Sequence, residues 1–179
     1  MRFTTAVIIT ATLLSQQAFA DSSLADAAKQ HCVDEDVRVV ALSSGATAMA
    51  SQAFIAALNA TVMIEDCEYQ PAVIQAQGTW YIGKVEFDNA TFAFNLGNIF
   101  LGQAQQYVTN GDGDYATAQM LESMDLQELA DDFYGFAYGN YTSAAASYAM
   151  SGSYFDSAIE GFEAAIELFN LALQQAMVI

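Results

Sequence analysis

The chain has 179 residues, carries twenty-one acidic against four basic side chains for a formal net charge of −17, and is 54% hydrophobic. That charge repels phosphate backbones and anionic lipid headgroups, so it argues against nucleic acid and anionic membrane surfaces as partners and favours cationic proteins or peptides and divalent metals. One histidine and two cysteines leave little material for a metal centre.

The first segment reads as a signal peptide over residues 1–20. Arg2 precedes an apolar run, Ala6 to Leu14, of h-region length and too short to span a bilayer, and Ala18-Phe19-Ala20 presents small residues at a cleavage site. Cleavage would leave Asp21 first and residues 21–179 as a single acidic helical domain in the periplasm or outside the cell. Arg2 would be lost, leaving three basic against twenty-one acidic residues, or −18.

Cys32 and Cys67 are an even count in an oxidising compartment, which predicts one disulfide. A site built from His31, the cysteines and Asp34-Glu35-Asp36 lacks paired metal-ligand spacing. The disulfide bears on the uncharged stretch Val39–Ile64. As one helix it would be about 39 Å long, and its eight flanking residues could return at most about 27 Å. The cysteine Cα atoms must approach within about 7 Å, so the bond and an uninterrupted helix exclude each other. Ser43-Ser44-Gly45 is the natural break, with an approach segment at 37–42 and a helix from about Ala46. The same stretch has the length of a membrane span, but its Ser, Thr, Gln and Asn residues make a buried alanine-rich helix the better reading.

Pro71 punctuates the linker after Cys67. Residues 79–101 have a mixed period: alternation over 79–87 suits a short strand, whereas Phe87, Thr91, Phe94 and Asn98 suit a helix. Asn110-Gly111-Asp112-Gly113-Asp114 reads as a polar loop. It departs from a calcium loop, since Tyr115 and Leu121 stand where the turn glycine and the closing acid belong. Further on, Phe155, Ile159, Phe162, Ile166, Phe169, Leu173 and Ala176 step by four and three, predicting an apolar seam on a last helix from about Asp156 to Ala176. Asp156, Glu160, Glu163 and Glu167 each follow a seam residue and form a parallel acidic stripe. Their like charges repel at helical spacing, and no basic residue occurs after Lys84.

Gly139-Asn140-Tyr141-Thr142-Ser143-Ala144 with Tyr148, the segment Ala158–Leu168, and partly Gly113–Ala118 resemble the second helix of a tetratricopeptide repeat. The alanines Ala118, Ala144 and Ala158 do not keep the 34-residue period. The resemblance covers residues 110–175 and implies a repeat-like helical hairpin domain that acts through its surfaces. The expected fold is therefore mainly α, a helical hairpin or repeat-like bundle, with a short β element at 37–42 or 79–87 as the alternative.

No nucleophile elbow, metal-binding helix motif or phosphate loop is present, and the adjacent acids Asp131 and Asp132 point about 100° apart on a helix. The expectation is an exported noncatalytic binding or scaffold module, with no cofactor and no catalytic or metal-ligating residues. Its surface would be acidic and tyrosine-rich: Tyr134, Tyr138, Tyr141 and Tyr148 as anchors, unless they pack in the core, and Asp156, Glu160, Glu163 and Glu167 for a cationic protein or peptide. The alternative is an envelope protein that sequesters calcium or another divalent cation, using Asp112 and Asp114 among others.

Overall fold

The computed structural model describes residues 22–177. The signal peptide read in residues 1–20 and the mature start at Asp21 lie outside them. Three helices make up nearly all of the described span: α1 (Ser22–Asp66), α2 (Gln70–Ser123) and α3 (Gln127–Ala176). Pro71 sits in the first turn of α2, where its missing N–H removes no helical hydrogen bond. Between α2 and α3, Asp125 takes a left-handed conformation at φ 60°, and Leu126 N–H donates to the Leu121 carbonyl to close the helix end.

The helices are long because small side chains recur every seven residues. On α1, Ala25, Cys32, Val39, Ala46, Ala53 and Ala60 are buried. On α2, Ala76, Ala90, Ala104 and Ala118 are buried, and Gly83, Gly97 and Gly111 occupy the steps between them. On α3 a line from Ala130 to Ala172, alanine at every seventh position except Ser151, runs beside an aromatic line, Tyr134, Tyr141, Tyr148, Phe155, Phe162 and Phe169. Spacings of three and four within a seven-residue repeat keep one face of each helix turned to its partners over many turns, as in coiled coils.

The chain divides into two compact units. Among the described residues, unit one comprises 22–38 with Phe100–Met150, and unit two comprises Val39–Ile99 with 151–177. In unit two, α3 aromatics fill spaces that glycine opens on α2. A Cβ built on Gly97 would lie 2.7 Å from the Phe155 ring, and one on Gly83 would lie 3.0 Å from Phe169. Phe94, Phe87 and Trp80 approach Phe155, Phe162 and Phe169 at 5.6, 5.4 and 5.9 Å between ring centroids. Buried Ser151 donates to the Gly97 carbonyl at 2.7 Å. In unit one the same relation places Tyr141 against Gly111, 2.9 Å from a Cβ built there. From Gly83 to Gly97 α2 advances fourteen residues while its partner on α3 retreats fourteen, from Phe169 to Phe155, so the two helices run antiparallel in register within unit two.

The helical bundle expected from the sequence is present, and several finer expectations are corrected. Among the described residues there is no strand, and both 37–42 and 79–87 are helical. The apparent alternation in 79–87 arises because Trp80 and Phe87 pack inward beside buried Gly83 while Tyr81, Ile82 and Val85 face outward. Ser43-Ser44-Gly45 does not break α1. Thr47 and Ser51 hydroxyls donate to the carbonyls four residues earlier at 2.8 and 3.0 Å, satisfying themselves inside the helix. Asn110–Asp114 is helix rather than loop, because Gly111 admits a ring and Asp112 and Asp114 find partners on other helices. The last helix starts at Gln127, well before Asp156. Each helix alone is longer than a 34-residue repeat.

The Cys32–Cys67 disulfide is corrected by the geometry that predicted a break. Since α1 is continuous to Asp66, the thirty-four residues between the cysteines correspond to about 50 Å of helix axis, far outside the span a disulfide bridges. Both cysteines are free thiols, Cys32 buried and Cys67 half-buried.

Candidate functional site

The candidate site residues fall into two groups, one in each unit. In unit two the acidic stripe lies on α3. Phe155, Phe162, Phe169 and Ala176 are buried as the seam requires, but their companions in the interior are Ala158, Ala165 and Ala172; Ile159, Ile166 and Leu173 are half-buried at its edge. Turned away from that interior, Asp156, Glu160, Glu163 and Glu167 are all exposed. The three ion pairs among the described residues are Lys29–Asp112, Arg38–Glu35 and Lys84–Asp88, so no cation there neutralises the stripe.

The tyrosines occupy a different setting. Tyr134, Tyr141 and Tyr148 are 2%, 0% and 3% exposed, so three of the four proposed surface anchors are interior residues of unit one; Tyr138 alone is half-buried. Their spacing is that of the α3 aromatic line, which is why a count of tyrosines suggested a surface where there is a seam.

Each buried ring carries its hydroxyl to a carboxylate. Tyr134 donates to Glu122 at 2.8 Å, Tyr141 to Asp112 at 2.7 Å, and Tyr148 to Asp36. Half-buried Tyr115 donates to Asp26 at 2.6 Å, and Asn140 to Asp114 at 2.8 Å. Lys29 from α1 donates to Asp112 at 2.7 Å while its ammonium lies 5.2 and 5.5 Å from the Tyr115 and Tyr141 ring centroids, where ring quadrupoles attract a cation. Lys29, Cys32, Asp36, Asp112, Tyr141 and Tyr148 surround a cavity of about 130 Å³.

Electrostatics follow from these contacts. Burial, then the hydrogen bond to Glu122, pushes Tyr134 up to about 12. Burial raises Tyr141 and Tyr148 further, reinforced by Asp112 and Asp36. The bond to Asp26 raises Tyr115. For Asp112, burial acts upward, but the bonds from Lys29 and Tyr141 and the Lys29 charge together hold its carboxyl below the ordinary value. Burial, with the charges of Asp36 and Asp112, lifts the Cys32 thiol to about 11, so it is neutral and a poor nucleophile near pH 7.

Asp26 and Lys29 did not stand out in the sequence, and Asp36 did so only within the set weighed as metal ligands. The available signal was that Lys29 and Asp36 are seven residues apart, four beyond Ala25 and Cys32, on the same heptad face. Asp112 and Asp114, the carboxylates of the cation-sequestering alternative, are occupied by Lys29, Tyr141 and Asn140. Among the described residues no three histidine, cysteine or acidic side chains gather to hold a metal ion.

These features define a heptad-packed helical bundle with an alanine- and tyrosine-lined interior in unit one, an aromatic interior in unit two, and an unneutralised acidic face. No protein-family model matches the chain, and neither the curated proteins nor the solved structures compared with it give a match.

Proposed function

We propose that the protein is an exported noncatalytic binding or scaffold module that holds a cationic protein or peptide along the acidic face of α3. The carrying observation is that Asp156, Glu160, Glu163 and Glu167 all stay exposed and without a cationic partner beside the buried Phe155, Phe162 and Phe169. Four carboxylates on consecutive turns raise the local concentration of a polycation and attract it more strongly at low salt. The tyrosine-rich segment contributes by fixing helix register in unit one rather than by contact with the partner. Export rests on the signal peptide read in residues 1–20.

An oligolysine peptide is the defined probe. Calorimetry with it should show binding that weakens steeply as salt rises, and replacing the four acids by amides should remove most of it. A control with Glu128, Asp131 and Asp132 made amides should keep it. Equal losses in the two variants would show that the peptide reads net charge alone and would refute a site on α3.

A further inference from the structure

In unit two, α2 carries apolar side chains on its outer face at the spacing of a second seam. Ile74, Gly78, Tyr81, Val85, Asp88, Phe92, Asn95 and Ile99 step by four and three, which confines them to one stripe of the helix, opposite the inward line of Ala76, Trp80, Gly83, Phe87 and Ala90. All eight are exposed, and the five large apolar ones show from 54% to 68% of their surface. An apolar stripe with heptad spacing suits a packed helix better than water. We propose that this face of α2 docks antiparallel against the same face of a second copy of the chain.

Three observations select that occupant. First, the stripe is self-complementary. A two-fold axis between Glu86 and Phe87 sets Ile74 against Ile99 of the second copy and Tyr81 against its Phe92, and an isologous dimer needs such reciprocity. Second, the charges match across that axis. Lys84, which now bridges Asp88 of its own helix, comes beside Asp88 of the second copy. Third, in a chain of net charge −17, residues 69–111 hold only Lys84, Glu86 and Asp88 and sum to −1. Two copies therefore meet there with little repulsion, whereas the α3 stripe would oppose contact. The five apolar side chains contribute roughly 500 Å² per copy, and flanking residues bring the area toward the ~800 Å² per partner of an ordinary stable interface.

This inference does not depend on the acidic stripe. Sedimentation equilibrium of the purified protein should give twice the chain mass at about 100 µM, and Tyr81→Asn with Phe92→Asn should weaken self-association at least about tenfold. Both sites are exposed, so helical circular dichroism should be unchanged. In a Cys67→Ser background, Ile74→Cys and Ile99→Cys proteins should cross-link to each other when mixed and neither to itself. A monomer at all concentrations, a dimer indifferent to the double substitution, or self-cross-linking alone would each overturn the proposal. So would a protein that is monomeric in buffer and binds phosphatidylcholine vesicles through this face.

Discussion

At position 97 of α2 a methyl group would meet the Phe155 ring at 2.7 Å, whereas at Gly102 nothing lies within 4 Å, and neither glycine has positive φ. The helix prefers alanine to glycine by about 1 kcal/mol at either site. Gly102→Ala should therefore stabilise by up to that amount in chemical melts. Gly97→Ala adds overpacking of about 1–3 kcal/mol and should destabilise. The unit-one tyrosines make a pH prediction. Their folded pKa values are raised, Tyr134 to about 12. Such groups stabilise fully below the unfolded value near 10, and that stability disappears as pH rises from there through the folded values. Melting temperature should thus fall above pH 10, and Tyr134→Phe should reduce the fall. Asp112 acts oppositely: its lowered carboxyl loses its contribution as pH drops below about 4.

For the helices, the test falls on α3. Phe162 is 2% exposed and packs against the Phe87 ring at a tilt, so Phe162→Ala should destabilise by about 3–5 kcal/mol in denaturant melts through lost burial and a cavity. The four acids one step away should behave in the contrary sense. Converting them to glutamine and asparagine relieves three repulsive pairs at about 0.2–0.5 kcal/mol each and should stabilise by about 1 kcal/mol. The regular spacing of Phe155, Phe162 and Phe169 was legible because large aromatics mark a period strongly. The companion line of alanines was not, since alanine is equally at home on either face of a helix. In α1 and α2 glycine and serine carry local turn signals, and these were overridden where a neighbouring ring needed the room or the hydroxyl could bond within its own helix.

At the level of the whole molecule, the two cysteines give the clearest measurement. Nonreducing peptide mapping should find no Cys32–Cys67 bond within a chain, and in native protein the half-buried Cys67 should react with a thiol reagent well before buried Cys32. Helical character, the acidic balance and the exposed stripe were determined by the sequence alone, because each depends on local spacing or on a sum over residues. The continuity of α1, the helical state of residues 110–114 and the inward turn of Tyr134, Tyr141 and Tyr148 were decided only by tertiary structure. A heptad of glycine and alanine has no hydrophobic signature until the aromatic line that fills it is placed alongside, and that pairing joins residues as far apart as Gly83 and Phe169.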